Sequence, residues 1–403
     1  MTRAIVVNHF PLLPARGGGQ LAVLGLASEL ARRWPTEVVW TERKRQAALQ
    51  AEAGGHRLNV TVVPNLWLQR QAARWLRRCV GAVDNDLGTM LFAGRNSALK
   101  AHLARTVRPG DVLVAAHPWC WPALRVLPVV RPPRSCVLVY DAHNVEHVLK
   151  QAAWPDSAVT RHLLGRVRAL EAELVRAADL VLACTPRDAE ALQALAGVDG
   201  GRFVVGSKGI EASPAADAMA AARAAREPGR HAVFVGSKHG PNNEAARWIA
   251  TMLAPALPGW RFTIAGACGP AAEVAAPPPN VAITGPLDDL DGLLASADVA
   301  LNPMASGSGI NMKLFESLRA GLPVLSTPLG ARGFETAGEG VVVAEREAFA
   351  AALDALVADP AAWRARVAAG PRAVQAQYAW PVVGERVCAR IEAVRAARGG
   401  PPR

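Results

Sequence analysis

Two doubly wound α/β domains are what this sequence predicts, and three observations carry the expectation. Short apolar, β-branched runs alternate with longer amphipathic segments from end to end, as in βα units whose parallel strands are buried on both faces. The alternation breaks once, at an Ala-, Arg- and Pro-rich stretch over 211–230, and resumes with a fresh strand at His231. A length of 403 residues suits two or three domains with cores of their own.

The expected strands of the first series are Ala4 to Asn8, Glu37 to Thr41, Val60 to Val63, Val112 to Ala116, Cys136 to Asp141, Leu180 to Cys184 and Phe203 to Val205. Those of the second are His231 to Val235, Phe262 to Ala265, Val281 to Thr284, Val299 to Asn302, Pro323 to Ser326 and Val341 to Val343. The domains are therefore placed at 1–210 and 231–380, with a linker over 211–230 and a terminal segment over 381–403. Tandem sheets imply a cleft, and open α/β sheets bind ligands at the carboxyl ends of their strands.

Hydrophobic residues make up 51% and charged residues 20%, which excludes wholesale disorder. A net charge of +11 favours anionic partners, while 5% aromatics without basic and aromatic interleaving argue against nucleic acid. Six scattered cysteines with no CxxC pair fit reduced thiols in a cytoplasmic protein rather than a disulfide framework. No run approaches the ~20 apolar residues of a membrane span. The segment holding Trp67, Arg70, Arg74, Trp75, Arg77 and Arg78 reads either as a helix lying on an anionic membrane or as one packed on its own sheet with snorkelling arginines.

Two glycine elements stand out. The first strand runs into Gly17, Gly18 and Gly19, followed by a helical pattern from Leu21 to Arg33. Glycines there permit close backbone approach, and a helix N-terminus favours phosphate; neither GxGxxG nor a Walker A is present. The second element is Gly307-Ser-Gly-Ile-Asn-Met-Lys-Leu-Phe-Glu316, with a helix expected to begin near Gly309. Lys313 and Glu316, three apart, share a helix face. The ammonium can meet a phosphate, and the carboxylate can accept from paired ribose hydroxyls.

These pieces, with Ala320-Gly-Leu-Pro-Val-Leu-Ser-Thr327 and Gly330-Ala-Arg-Gly333, resemble the C-terminal domain of GT-B fold glycosyltransferases of family 4. Val235-Gly-Ser-Lys-His239, Val281 to Gly285, and Tyr140-Asp-Ala-His-Asn-Val-Glu146 extend the resemblance over nearly the whole chain. It implies transfer of a sugar from a nucleotide diphosphate sugar to an acceptor hydroxyl with retention, without metal or cofactor, in the synthesis of a surface polysaccharide or glycolipid at the inner face of the membrane. It implies further that Gly17, Gly18, Gly19, Gly236, Ser237, Gly285, Ser308, Gly309, Ile310, Asn311, Met312 and Glu316 bind the donor, and that Lys238 and Lys313 hold the phosphates. Ser308 stands where the family usually has a glutamate. The resemblance also implies that the final helix, expected over Val382 to Ala397 after Tyr378-Ala-Trp380-Pro381, crosses back to the first domain.

His117 ends the strand Val112 to Ala116, where an imidazole can orient an acceptor hydroxyl. Asp141, His143, Asn144 and Glu146 are expected on the acceptor side. His143-Asn-Val-Glu-His147 also reads literally as H-x-x-E-H, so a zinc hydrolase using His143, Glu146 and His147 is the rival from another class. A nucleotide-binding protein of this fold without transfer activity is a third reading.

Overall fold

The computed structural model describes residues 2–15, 17–42, 49–81, 84–287, 289–307, 309–334 and 338–398. The chain divides into two compact units, Met1–Glu211 with Trp380–Arg403, and Ala212–Ala379.

The first unit carries β1 (Ala4–Asn8), β2 (Thr36–Glu42), β3 (Leu49–Ala53), β4 (His56–Pro64), β5 (Val112–Ala116), β6 (Val137–Asp141), β7 (Leu180–Ala183) and β8 (Phe203–Val205), in the spatial order β3-β4-β2-β1-β5-β6-β7-β8. Every pairing is parallel except β3 with β4. Strands β1, β5 and β6 are buried at all five positions, as continuous apolar runs require. β3, which the sequence reading missed, is Leu-Gln-Ala-Glu-Ala, with no β-branched residue. Its signal was the Gly54-Gly55 turn: both glycines have positive φ, 53° and 76°, the geometry of a two-residue hairpin.

The second unit carries β9 (His231–Val235), β10 (Arg261–Ala265), β11 (Val281–Gly285), β12 (Val299–Asn302), β13 (Val324–Ser326) and β14 (Val341–Val343), all parallel, ordered β11-β10-β9-β12-β13-β14. In both units the first strand lies centrally and the chain leaves it first to one side and then to the other. The strand order therefore reverses between β1 and β5 and between β9 and β12, which are the topological switch points where doubly wound sheets bind ligands.

The stretch 211–230 corrects the linker expectation. Ser213 caps a helix, Pro214–Ala224, by accepting the Ala216 N–H. Arg223 on this helix is buried and donates to the carbonyls of Leu294, Ala297 and Ala320, satisfying orphan acceptors of its own unit. Alanine-rich composition concealed the helix because its anchor is an arginine rather than an apolar stripe.

The final helix, Trp380–Ala397, packs in the first unit, where Trp380, Val383, Val387 and Ile391 share a core with Val23, Leu26, Ala27 and Leu30 of helix Gly18–Ala31. Glycines permit the approach: a Cβ at Gly25 would lie 2.0 Å from Trp380 Cε2, and one at Gly384 would lie 2.5 Å from Glu29 Cβ. Arg33 donates to both Glu385 and Glu392 at the edge of this contact.

Candidate functional site

In the second unit the switch point gathers residues from four segments. β9 is followed directly by Gly236, where a Cβ would sit 2.9 Å from Cys268 Sγ and 3.1 Å from Asn242 Cβ, so only glycine lets the turn close. Asn242 ties this turn by donating from Nδ2 to the Ser237 carbonyl at 3.1 Å. From the other side of the switch point comes helix Met312–Arg319, whose second residue, Lys313, donates from Nζ to Asn242 Oδ1 at 2.8 Å. The same ammonium lies 3.6 Å from Met304 Sδ and 4.3 Å from the centroid of the Phe234 ring. Burial against these groups pushes its pKa down to about 7.

The turn before this helix is held by Arg332, which donates to the Gly307 carbonyl at 2.9 Å and to the Gly309 carbonyl at 3.2 Å. Gly307 and Gly309 both have positive φ, 123° and 70°, which explains two glycines flanking one residue. That residue, Ser308, lies outside the described residues. Asn311 caps the approach by donating from Nδ2 to the Gly330 carbonyl at 2.7 Å. The helix starts at Met312 rather than near Gly309, so Gly309, Ile310 and Asn311 form a loop leading into its N-terminus. Glu316, one turn on, is half-buried and paired with Arg319. Burial raises its pKa, with Arg319 opposing and Asp291 adding to the rise. Gly285 ends β11 at φ 68°. Lys238 and Ser237 are exposed.

In the first unit Gly17 precedes helix Gly18–Ala31, so Gly18 and Gly19 form its first turn instead of a free loop. Gln20 fixes the turn by accepting the Gly17 N–H at 3.0 Å and donating to the Pro11 carbonyl at 2.9 Å. This leaves backbone N–H groups of a 14-residue helix available to an anion.

At the switch point of that unit the ends of β1 and β5 bring His9 and His117 together, ring centroids 5.2 Å apart. His117 is stacked on His143 at 4.2 Å. Each imidazole has one nitrogen on a carboxylate: His9 Nε2 with Asp86 at 2.7 Å, His117 Nδ1 with Glu146 at 3.0 Å, His143 Nε2 with Asp141 at 2.9 Å, and His147 Nδ1 with Glu171 at 2.9 Å. Lys208 donates to the other Asp141 oxygen at 2.5 Å, and Lys150 donates to Asp84 at 2.8 Å. Against the cost of burial, Lys208 and His143 hold the Asp141 carboxyl well below the usual carboxylate range. Burial, together with Lys208, pushes His143 down to about 3, and burial lowers His9 as well.

Asp141 and Glu146 are 0% and 2% exposed. They support the imidazoles from below instead of lining an open acceptor surface. The H-x-x-E-H reading fails on geometry: His143 precedes helix Glu146–Ala153, and His143, Glu146 and His147 each bond a different partner. Among the described residues no group of three or more His, Cys, Asp or Glu could hold a metal ion. Sequence reading missed His9, Gln20, Asn242 and Arg332. Position at the end of the first strand of the unit could have revealed His9; Arg332 stood inside a quoted motif without a role. A cavity of about 440 Å³ lined by Met90, Arg95, Arg125, Arg166 and Leu170, among others, takes in none of the residues that the sequence singled out.

Helix Trp67–Val80 presents Trp67, Leu68 and Trp75 to solvent, 62%, 51% and 74% exposed, beside exposed Arg74, Arg77 and Arg78, while Gln69, Ala73 and Val80 are buried. No helix among the described residues is long and apolar enough to cross a membrane.

Residues 229–359 match the family model described as glycosyl transferases group 1. No curated protein matches the chain. Among solved structures, sucrose-phosphate synthase from Thermosynechococcus elongatus aligns with a TM-score of 0.67 at 16% identity, over 98% of this chain and 100% of that one. Alpha,alpha-trehalose 6-phosphate synthase from Burkholderia multivorans aligns at 0.68 with 14% identity, over 99% and 98% of the two chains. Anabaena HepE in complex with UDP-glucose aligns at 0.64 with 14% identity, over 98% and 100%. Two Rossmann-like units matched in this way over almost the whole chain constitute the GT-B fold.

Proposed function

We propose that this GT-B fold relative of the group 1 glycosyl transferases moves a sugar from a nucleoside diphosphate sugar to an acceptor hydroxyl with retention of anomeric configuration. The observation that carries the reading is Lys313, an ammonium at a switch point whose neighbours are an amide, a thioether and an aromatic ring, with no carboxylate among the described residues paired to it. A diphosphate completes that environment. As the bond from C1 of the sugar to the diphosphate breaks, negative charge grows on the leaving oxygens, and Lys313, the helix N-terminus at Met312 and the backbone of Gly309, Ile310 and Asn311 stabilise it. Gly236 and Gly285 turn the chain at the strand ends beside which the nucleotide lies, with Ser237 at the rim. Glu316 accepts the ribose hydroxyls, and exposed Lys238 adds a second, weaker cation. Ser308, which stands where the family usually has a glutamate, bears on the choice of sugar, and Gly17, Gly18 and Gly19 offer a further anion-binding helix terminus.

The acceptor is bound by the first unit near His117, with Asn144 at its side and Asp141, His143 and Glu146 beneath. Polysaccharide or glycolipid synthesis suits a protein whose helix Trp67–Val80 lies on an anionic membrane, Trp67 and Trp75 at the interface and Arg70, Arg74, Arg77 and Arg78 toward the headgroups. The place of action is the cytoplasmic face.

A thermal-shift panel with UDP, GDP, ADP and dTDP, each with and without EDTA, tests the reading. At ~100-fold excess over Kd a ligand adds about 2.7 kcal/mol, a shift of a few degrees. One diphosphate is expected to stabilise the wild type in EDTA and to shift Glu316→Ala by about half as much or less; no shift with any of them overturns the proposal.

A further inference from the structure

His117 is held in a conformation that ordinary folding does not favour. It is a non-glycine residue with φ 68°, in the left-handed region, and such a conformation persists only where the surroundings impose it. The surroundings here are specific. Its N–H donates to the Asp141 carbonyl at 3.2 Å, and its ring is stacked on His143 and meets the edges of His9 and Phe10. Glu146, the first residue of its helix, brings Oε1 to 3.0 Å from Nδ1. Glu146 is itself located by its backbone N–H, which donates to Glu171 Oε1 at 2.8 Å. The other ring nitrogen, Nε2, is buried and has no hydrogen-bond partner among the described residues.

We infer that Glu146 is a positioning residue that sets the tautomer of His117: its carboxylate accepts the Nδ1 hydrogen, so Nε2 is left as a bare lone pair able only to accept. A buried acceptor without a partner carries a desolvation penalty that an incoming hydroxyl relieves. The inference rests on the transfer reading for the identity of that hydroxyl, the one on the acceptor that attacks the sugar. Nε2 orients it by accepting its hydrogen, and were the tautomer reversed, Nε2–H would point a hydrogen at the nucleophile and turn its lone pair away. The neighbouring imidazoles leave this choice to Glu146. His143 is engaged with Asp141, which Lys208 also binds, and His9 is engaged with Asp86, which Lys150 also binds.

The test reads the tautomer and the kinetics separately. In the full chain with ¹⁵N-labelled histidine, a long-range ¹H–¹⁵N spectrum, assigned by loss of one ring system in His117→Gln, is expected to show His117 protonated on Nδ1. Glu146→Ala should shift it to the Nε2–H form, lowering kcat by about 10²-fold with the donor KM unchanged. Glu146→Gln, whose side-chain carbonyl can still accept from Nδ1, should keep the tautomer and hold kcat within about tenfold of wild type. Nε2–H in the wild type, or an unchanged tautomer in a folded Glu146→Ala, overturns the inference. An Ala variant that changes tautomer but keeps wild-type kcat overturns the role in transfer. A chain that transfers from no donor refutes the transfer reading, while the spectrum still decides whether Glu146 sets the tautomer.

Discussion

Binding of a nucleoside diphosphate should consume a proton at Lys313. With its pKa pushed down to about 7, the ammonium is half-formed at neutrality and carried by only about one molecule in ten at pH 8. A diphosphate beside Nζ favours the charged form and restores full protonation, so about 0.9 proton is taken up per nucleotide bound at pH 8. The corresponding loss of affinity between pH 7 and pH 9 is about 50-fold, or ~2.3 kcal/mol, in a range where the nucleotide's own terminal phosphate is already deprotonated. Isothermal titration in two buffers of different ionisation enthalpy measures the uptake directly. Lys313→Arg keeps its charge over the whole range and should bind with no uptake and a flat pH profile. Uptake below about 0.2 proton at pH 8, or the same slope in Lys313→Arg, would refute the placement of the diphosphate at this amine.

The same buried ammonium has a cost without ligand. The folded-state pKa lies below the unfolded value, so between about pH 7 and 10.5 the unfolded chain binds more protons and wild-type stability rises with pH; unliganded Lys313→Met should lack that slope and melt above wild type at pH 6.5 in thermal denaturation. Glu316→Ala should weaken nucleotide affinity by tenfold or more in the same titration, since paired ribose hydroxyls lose a charged acceptor worth about 1.5–3 kcal/mol. Gly25→Ala forces a methyl into the Trp380 indole and should destabilise by about 1–3 kcal/mol in urea denaturation, despite alanine's better helix propensity. Trp67→Ala with Trp75→Ala should abolish flotation with vesicles containing anionic lipid and leave donor binding intact; flotation equal to wild type would contradict membrane contact through this helix.

Thirteen of the described strands were legible because each is a compact apolar run. β3 was not, since its stability comes from pairing with β4 through a Gly-Gly turn and not from its own side chains. Helix Pro214–Ala224 was hidden for a related reason: its anchor to the unit is Arg223 meeting three carbonyls, an interaction with no periodic trace. In the candidate site, Lys313 and Glu316 could be read from spacing within one helix. Asn242, Met304 and Phe234, which make Lys313 an unusual amine, come from other segments and converge only because the strand order reverses between β9 and β12. The H-x-x-E-H string failed in the opposite direction, because a five-residue pattern carries no information on where the helix begins, and the helix starts at Glu146.

The most direct test of the central claim is ¹H NMR of the full chain incubated with α-linked UDP-, GDP-, ADP- and dTDP-sugars, following slow transfer to water when no other acceptor is present. The account predicts that one donor releases its nucleoside diphosphate, that the α-anomer of the free sugar appears first, and that Lys313→Met stops the release. Initial formation of the β-anomer, or release that persists undiminished in Lys313→Met, would contradict it.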